Sequence, residues 1–139
     1  MRISTKFPVA VHTLLLIAVG KEMSTSAWIA GSVNTNPVVI RRIVSHLQKA
    51  GLLSGNQGKS GYELMKSPSA ITLLEIYKAV ALTESDQLFT IHESPNIKCQ
   101  VGASIHVLLE TVMDNAQKSM EGVLSGVTLQ DLINKIPEA

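Results

Sequence analysis

Between two stretches patterned as helices the chain runs Asn34-Thr35-Asn36-Pro37, and this break constrains the fold more than any other feature. Asn36 can turn its side-chain oxygen onto the free amides of a following helix, and Pro37 suits a first helical turn, where no amide bond is lost. The helix that follows carries Val39 or Ile40, Ile43, Val44 and Leu47 on one side. Arg41, Arg42, Ser45, Gln48 and Lys49 lie largely elsewhere, and Gly51 stops it. The preceding helix, capped from Ser24-Thr25-Ser26, runs from Ala27 to about Ser32 and is expected to bury Trp28, Ile29 and Val33. Two helices across a tight polar turn, the second one basic, meet the requirement of a helix-turn-helix: one helix enters the major groove while cations meet phosphates.

After Gly51 the period changes. Leu52-Leu53-Ser54, the turn-rich stretch from Gly55 to Gly61 and the alternating Tyr62-Glu63-Leu64-Met65 read as a β-hairpin, placed where a winged helix carries its wing. A first helix is expected over Ser4 to Val19, with Val11, Leu14, Leu15 and Ala18 recurring at helical spacing. A fourth follows over Leu73 to Val80, with Leu73, Ile76 and Val80 inward. Leu82 to Gly102 shows no period and reads as a connection. From Ala103 to Val123, the residues Ile105, Leu108, Leu109, Val112, Ala116 and Met120 form an apolar stripe at steps of three and four. A short helix begins at Thr128. The fold class expected is therefore mainly α with a small β-hairpin wing, divided into a DNA-binding domain over residues 1–82 and a connection and dimerisation region over 83–139.

Charge separates along the same line. Through Lys66 eight cations face two acids, a balance of +6, whereas from Ser67 onward four lysines face nine acids, a balance of −5. The net +1 of the 139 residues hides a basic half suited to a polyanion and an acidic half that is not. With 4% aromatic residues the core must be aliphatic. The single cysteine, Cys99, rules out an intrachain disulfide and fits a reducing cytoplasm. The apolar run from Phe7 to Gly20 has the outline of a signal peptide. Pro8 and His12 interrupt it, however, and Lys21 and Glu22 follow at once, so a cytoplasmic protein without a membrane span is expected.

Several strings together resemble the Rrf2 family of winged-helix transcriptional regulators, the IscR-, NsrR- and CymR-like proteins. They are the opening Met1-Arg2-Ile3-Ser4-Thr5-Lys6, then Leu47 to Ser54, the wing Gly58-Lys59-Ser60-Gly61-Tyr62-Glu63-Leu64, Ile71-Thr72-Leu73, and the closing Val127-Thr128-Leu129-Gln130-Asp131-Leu132. The resemblance covers nearly the whole chain and implies a bacterial, dimeric DNA-binding regulator whose long helix crosses to the partner subunit. By position Asn36, Val38, Val39, Arg41 and Arg42 fall where the family meets bases or phosphates, and Gln57 and Lys59 fall on the wing. Ser26 and Lys49 complete the expected DNA-contact set. The wing departs from the pattern: Gln57 stands where arginine is usual, and Ser60 stands where glycine is common in a turn one residue longer. Cluster-binding members carry three closely spaced cysteines before the long helix. One thiol cannot supply three ligands, so no iron–sulfur cluster is expected.

The function expected is a sequence-specific transcriptional regulator, a repressor acting as a homodimer on a palindromic operator. A winged-helix module that binds protein partners is the alternative. Double-stranded DNA and a second copy are the expected partners, the latter held through Ile105, Leu108, Leu109, Val112, Ala116 and Met120. No nucleophile elbow, phosphate loop or paired-carboxylate motif is present, so no enzyme is expected. His92, Cys99 and His106 stand seven residues apart, which is not a metal pattern. Cys99 reads either as an inert buried cysteine or as a redox sensor, and a small molecule beside the long helix is the other route to a signal.

Overall fold

The computed structural model describes residues 5–20, 25–55, 61–81 and 96–137. Helix α1 spans Lys6–Val19, α2 Ser26–Val33 and α3 Pro37–Lys49. Strands β1 (Leu53–Gly55) and β2 (Tyr62–Leu64) form the hairpin, followed by a 3-10 turn at Pro68–Ala70. Then come α4 (Leu73–Val80), the long α5 (Gln100–Ser125) and α6 (Leu129–Ile133). The mainly helical fold with a two-stranded wing is the one expected.

Local chemistry explains most of the boundaries. The Val39 amide donates to Asn36 Oδ1 at 3.1 Å, and Pro37 opens α3 as foreseen. Gly51, at φ +79°, adopts the left-handed backbone that ends the following turn. α2 starts one residue earlier than expected because Thr25 supplies the cap, its Oγ1 accepting from the Trp28 amide at 3.2 Å. Thr72 and Glu75 close a reciprocal capping box on α4, and Thr128 with Asp131 does the same on α6. α5 starts at Gln100, three residues before the expected Ala103, with Cys99 as its N-cap residue.

The core forms where α1, α3 and α4 meet, with Leu14, Ile29, Ile40, Leu47, Ile71 and Ile76 fully buried. The inward face of α1 is rotated from the expected one. Ala10, Thr13, Leu14 and Ile17 are buried while Val11, Leu15 and Ala18 are half-buried, since α1 packs against α2, α3, α4, α6 and β2 rather than a single neighbour. Thr13 fits the apolar interior by donating its hydroxyl to the Val9 carbonyl at 2.8 Å. In α2, Ile29 and Ala30 carry the burial, while Trp28 and Val33 are half-buried.

The last elements return to the first half of the chain. Thr72 and Thr128 pair as an antiparallel bridge flanked by two backbone bonds, Leu73 N–H to the Val127 carbonyl at 2.9 Å and Leu129 N–H to the Ile71 carbonyl at 2.8 Å. Leu129 is thereby carried into the winged-helix core, where it is fully buried. The long helix is therefore fixed to that core at its C-terminal end.

Candidate nucleic-acid interface

α3 is strongly two-faced. Ile40, Ile43, Val44 and Leu47 are buried, and Val38, Arg41, Arg42 and Lys49 are exposed on the opposite side at helical spacing. Asn34, in the left-handed conformation at φ 63° and ψ 49°, makes the sharp exit from α2 that brings α3 across it. Asn36 is exposed at the start of α3 with its Oδ1 committed to the cap, leaving its amide nitrogen to face outward. Val39 is half-buried. Asn36, Val38, Arg41, Arg42 and Lys49 thus share one surface, an exposed basic helix flanked by a hairpin, which can meet both the groove edges and the phosphates of a duplex.

Ser26 does not join that surface. It is fully buried, and its hydroxyl lies 3.0 Å from the Tyr62 hydroxyl of β2, a partner 36 residues away that local sequence patterns do not reveal. A hydroxyl enclosed in the core with a polar partner serves packing rather than DNA contact. Gln57 and Lys59 lie outside the described residues.

The hairpin is tied to the reader at a second point that sequence reasoning missed. Gln48 Nε2 donates to the Gly55 carbonyl at 2.7 Å. The strands pair Leu53 with Leu64, Ser54 with Glu63 and Gly55 with Tyr62. The only available signal was Gln48's place beside the basic face, which suggested solvent or DNA.

On α5 no residue is buried within the single chain. Leu108, Leu109 and Val112 are exposed, and Ile105, Ala116 and Met120 are half-buried. The expected stripe therefore exists as an apolar face that the described residues cover in part, at Ile105, Ala116 and Met120, and leave open at Leu108, Leu109 and Val112. Cys99 is exposed, which removes the reading of an inert buried cysteine. The amides of Gly102 and Val101 hold its thiol below the ordinary cysteine range, as the free N–H groups at a helix start favour a thiolate. Among the described residues no three His, Cys, Asp or Glu side chains come together, and His92 lies outside them. No helix among the described residues is long and apolar enough to cross a membrane.

Comparison with known proteins agrees with this geometry. The family model described as "Rrf2: Iron-dependent Transcriptional regulator" matches residues 3–135. The chain is 42% identical over 134 residues to YwnA of Bacillus subtilis, named as an inferred HTH-type transcriptional regulator, covering 96% of this chain and 98% of that one. It superposes with a TM-score of 0.73 on the crystal structure of a protein described as DNA-binding by inference, at 37% identity, covering 93% of this chain and 99% of the other. It also shares its fold with T. potens IscR, at a TM-score of 0.70 and 22% identity, covering 100% and 94% of the two chains. The family's description names iron; iron–sulfur clusters are held chiefly by several thiolates, and this sequence holds one cysteine. The chain belongs to the Rrf2 family and is a winged-helix, DNA-binding transcriptional regulator.

Proposed function

We propose that this regulator is a repressor that acts as a cytoplasmic homodimer on a palindromic operator, by binding rather than by catalysis. The observation that carries the reading is the pairing of two incomplete surfaces in one chain. The basic face of Asn36, Val38, Arg41, Arg42 and Lys49, with the half-buried Val39 at its edge, spans one half-site, and the apolar face of α5 stands open at Leu108, Leu109 and Val112. A two-fold dimer would complete both: a second α5 covers the open part of the first, and half-sites one turn of B-DNA apart, about 34 Å, call for two recognition helices at that spacing. Gln57 and Lys59 add wing contacts to each half-site. Bound across a promoter, such a dimer excludes polymerase.

Selection of bound duplexes from a random-sequence pool tests the reading. A palindromic consensus with half-sites about 10 base pairs apart is expected, and no enrichment, or an asymmetric site, opposes it. Binding must also weaken steeply with added salt, as released counterions require; an apolar protein interface would not behave so. Cys99 enters as the one thiol at the root of the dimer helix. Operator binding by wild type and Cys99→Ser, with and without diamide, decides whether it senses oxidants: equal responses dismiss it.

A further inference from the structure

Two polar contacts strap the hairpin to the two helices of the reader, one per strand. β2 is held to α2 inside the core by the Ser26–Tyr62 hydroxyl pair, 3.0 Å apart. β1 is held to α3 at the surface by Gln48 Nε2 on the Gly55 carbonyl, 2.7 Å away. The neck between them has little room to adjust. Gly55 sits at φ +107°, and a Cβ there would lie 2.4 Å from the Gly61 carbonyl oxygen and 3.2 Å from Tyr62 Cα. Gly61 sits at φ +71°. Both glycines hold backbone conformations that other residues rarely adopt, which lets the two strands pass this close at the neck.

We propose that Gln48 is a positioning residue for DNA recognition: it locks the neck of the wing onto the recognition helix, so that groove-reading and wing contacts reach the duplex as one rigid unit. Gln48 lies on the same helix as Arg41 and Arg42, about two turns beyond them toward the wing, and its amide donates to the Gly55 carbonyl. Preorganisation of this kind lowers the entropy that a binder must give up when two separate contacts form together. Without the donor, α3 still presents its arginines, but the wing must be ordered at the moment of binding. The inference rests on the DNA-binding reading of α3 and its wing.

The test compares wild type, Gln48→Met and Tyr62→Phe on duplexes selected by the wild-type protein from a random pool. Gln48→Met keeps the length of the side chain but removes the donor. Because the bond is at the surface, its melting temperature should stay within about 4 °C of wild type. Affinity should fall about three- to ten-fold. The slope of log K against log salt should become shallower by about 0.9, as expected when the protein neutralises one phosphate fewer. Hydroxyl-radical protection should shrink at the outer edges of each half-site and persist at its centre. Tyr62→Phe, which cuts the other strap, should reproduce the shallower slope and the narrowed protection. A merely structural role would lower the active fraction and leave slope and protection pattern unchanged, and that result for Gln48→Met overturns the proposal. Wild type that enriches no duplex overturns the DNA-binding reading itself, and the two failures are thereby distinct.

Discussion

Gln117 of α5 reaches the winged-helix body through Tyr77 of α4, its Nε2 donating to the tyrosine hydroxyl at 3.2 Å. The Tyr77 ring meets Phe7 of α1 edge-on, centroids 6.0 Å apart and planes at 80°, so one side chain joins three helices. Gln117 Oε1 is buried and has no hydrogen-bond partner among the described residues. Tyr77→Phe leaves the whole amide without its bond and should destabilise the protein by about 1–2 kcal/mol. The double variant Tyr77→Phe with Gln117→Leu removes both polar partners and should recover most of that loss. Urea denaturation of the four proteins measures the coupling, and additive losses would show that the Tyr77–Gln117 bond contributes nothing.

Leu129 gives a second prediction, because it lies 56 residues beyond the start of α4 and yet is fully buried in the winged-helix core. Leu129→Ala should cost about 2–5 kcal/mol through reduced transfer energy and the cavity left behind. A single cooperative unfolding transition, shifted as a whole, is expected. A variant that loses only a separate minor transition would show the C-terminal segment to be independent of the core.

Arg41→Ala and Arg42→Ala should each weaken operator binding by about 1–3 kcal/mol if a base is read, with melting temperature unchanged because both side chains are exposed. An arginine that meets only phosphate should instead weaken binding uniformly across sequences. Mobility shifts on operator and scrambled duplexes separate the cases, and unchanged affinity in both variants removes α3 from the interface.

What the sequence discloses and what it conceals divide by distance along the chain. The α3 cap at Asn36, its apolar stripe and the Gly51 stop are local, and each is legible because cap and period act within a turn or two. The inward face of α1 is not, since a helix with neighbours on several sides buries residues all round and its period fades. Ser26 looks like a DNA contact on sequence because its partner, Tyr62, is 36 residues away, and nothing local distinguishes a hydroxyl facing phosphate from one facing another hydroxyl. Gln48 is concealed in the same way, since its spacing groups it with the solvent-facing cations of its helix while its partner lies on the hairpin. The apolar stripe on α5 is legible in position but ambiguous in purpose. Only the fold tells that the described residues leave Leu108, Leu109 and Val112 of it open.

The Lys66–Glu75 pair predicts a pH dependence. The Lys66 ammonium, donating to Glu75 Oε2 at 2.7 Å, holds the carboxyl below the ordinary glutamate range, opposed by partial desolvation and assisted by the Thr72 amide. A carboxylate whose folded pKa is depressed contributes stability above its unfolded value of about 4.3, and loses it as pH falls through the lower folded value. Both side chains are more than a third exposed, at 39% and 38%, so solvent screens the pair and the contribution should stay below about 1 kcal/mol. Glu75→Gln retains a capping side chain while removing the charge. Its stability should fall short of wild type at pH 7 and converge with it toward pH 3. A gap that persists unchanged in acid would assign the effect to the cap rather than to the ion pair.

Leu109→Asp should convert a dimer into a folded monomer. Leu109 is 36% exposed in the single chain and flanked by Leu108 at 59% and Val112 at 62%, so an aspartate there keeps part of its hydration while the chain is alone. In a dimer the same carboxylate would sit against apolar side chains of a second α5, where an unpaired charge costs several kcal/mol. The substitution therefore acts more on association than on folding. Sedimentation equilibrium at micromolar concentration should give twice the chain mass for wild type and the chain mass for Leu109→Asp, with superimposable far-ultraviolet circular dichroism. Operator binding should weaken in parallel, since a monomer engages one half-site at a time. A wild type that is monomeric at that concentration leaves the apolar face of α5 without a second copy to cover it, and the dimer reading fails.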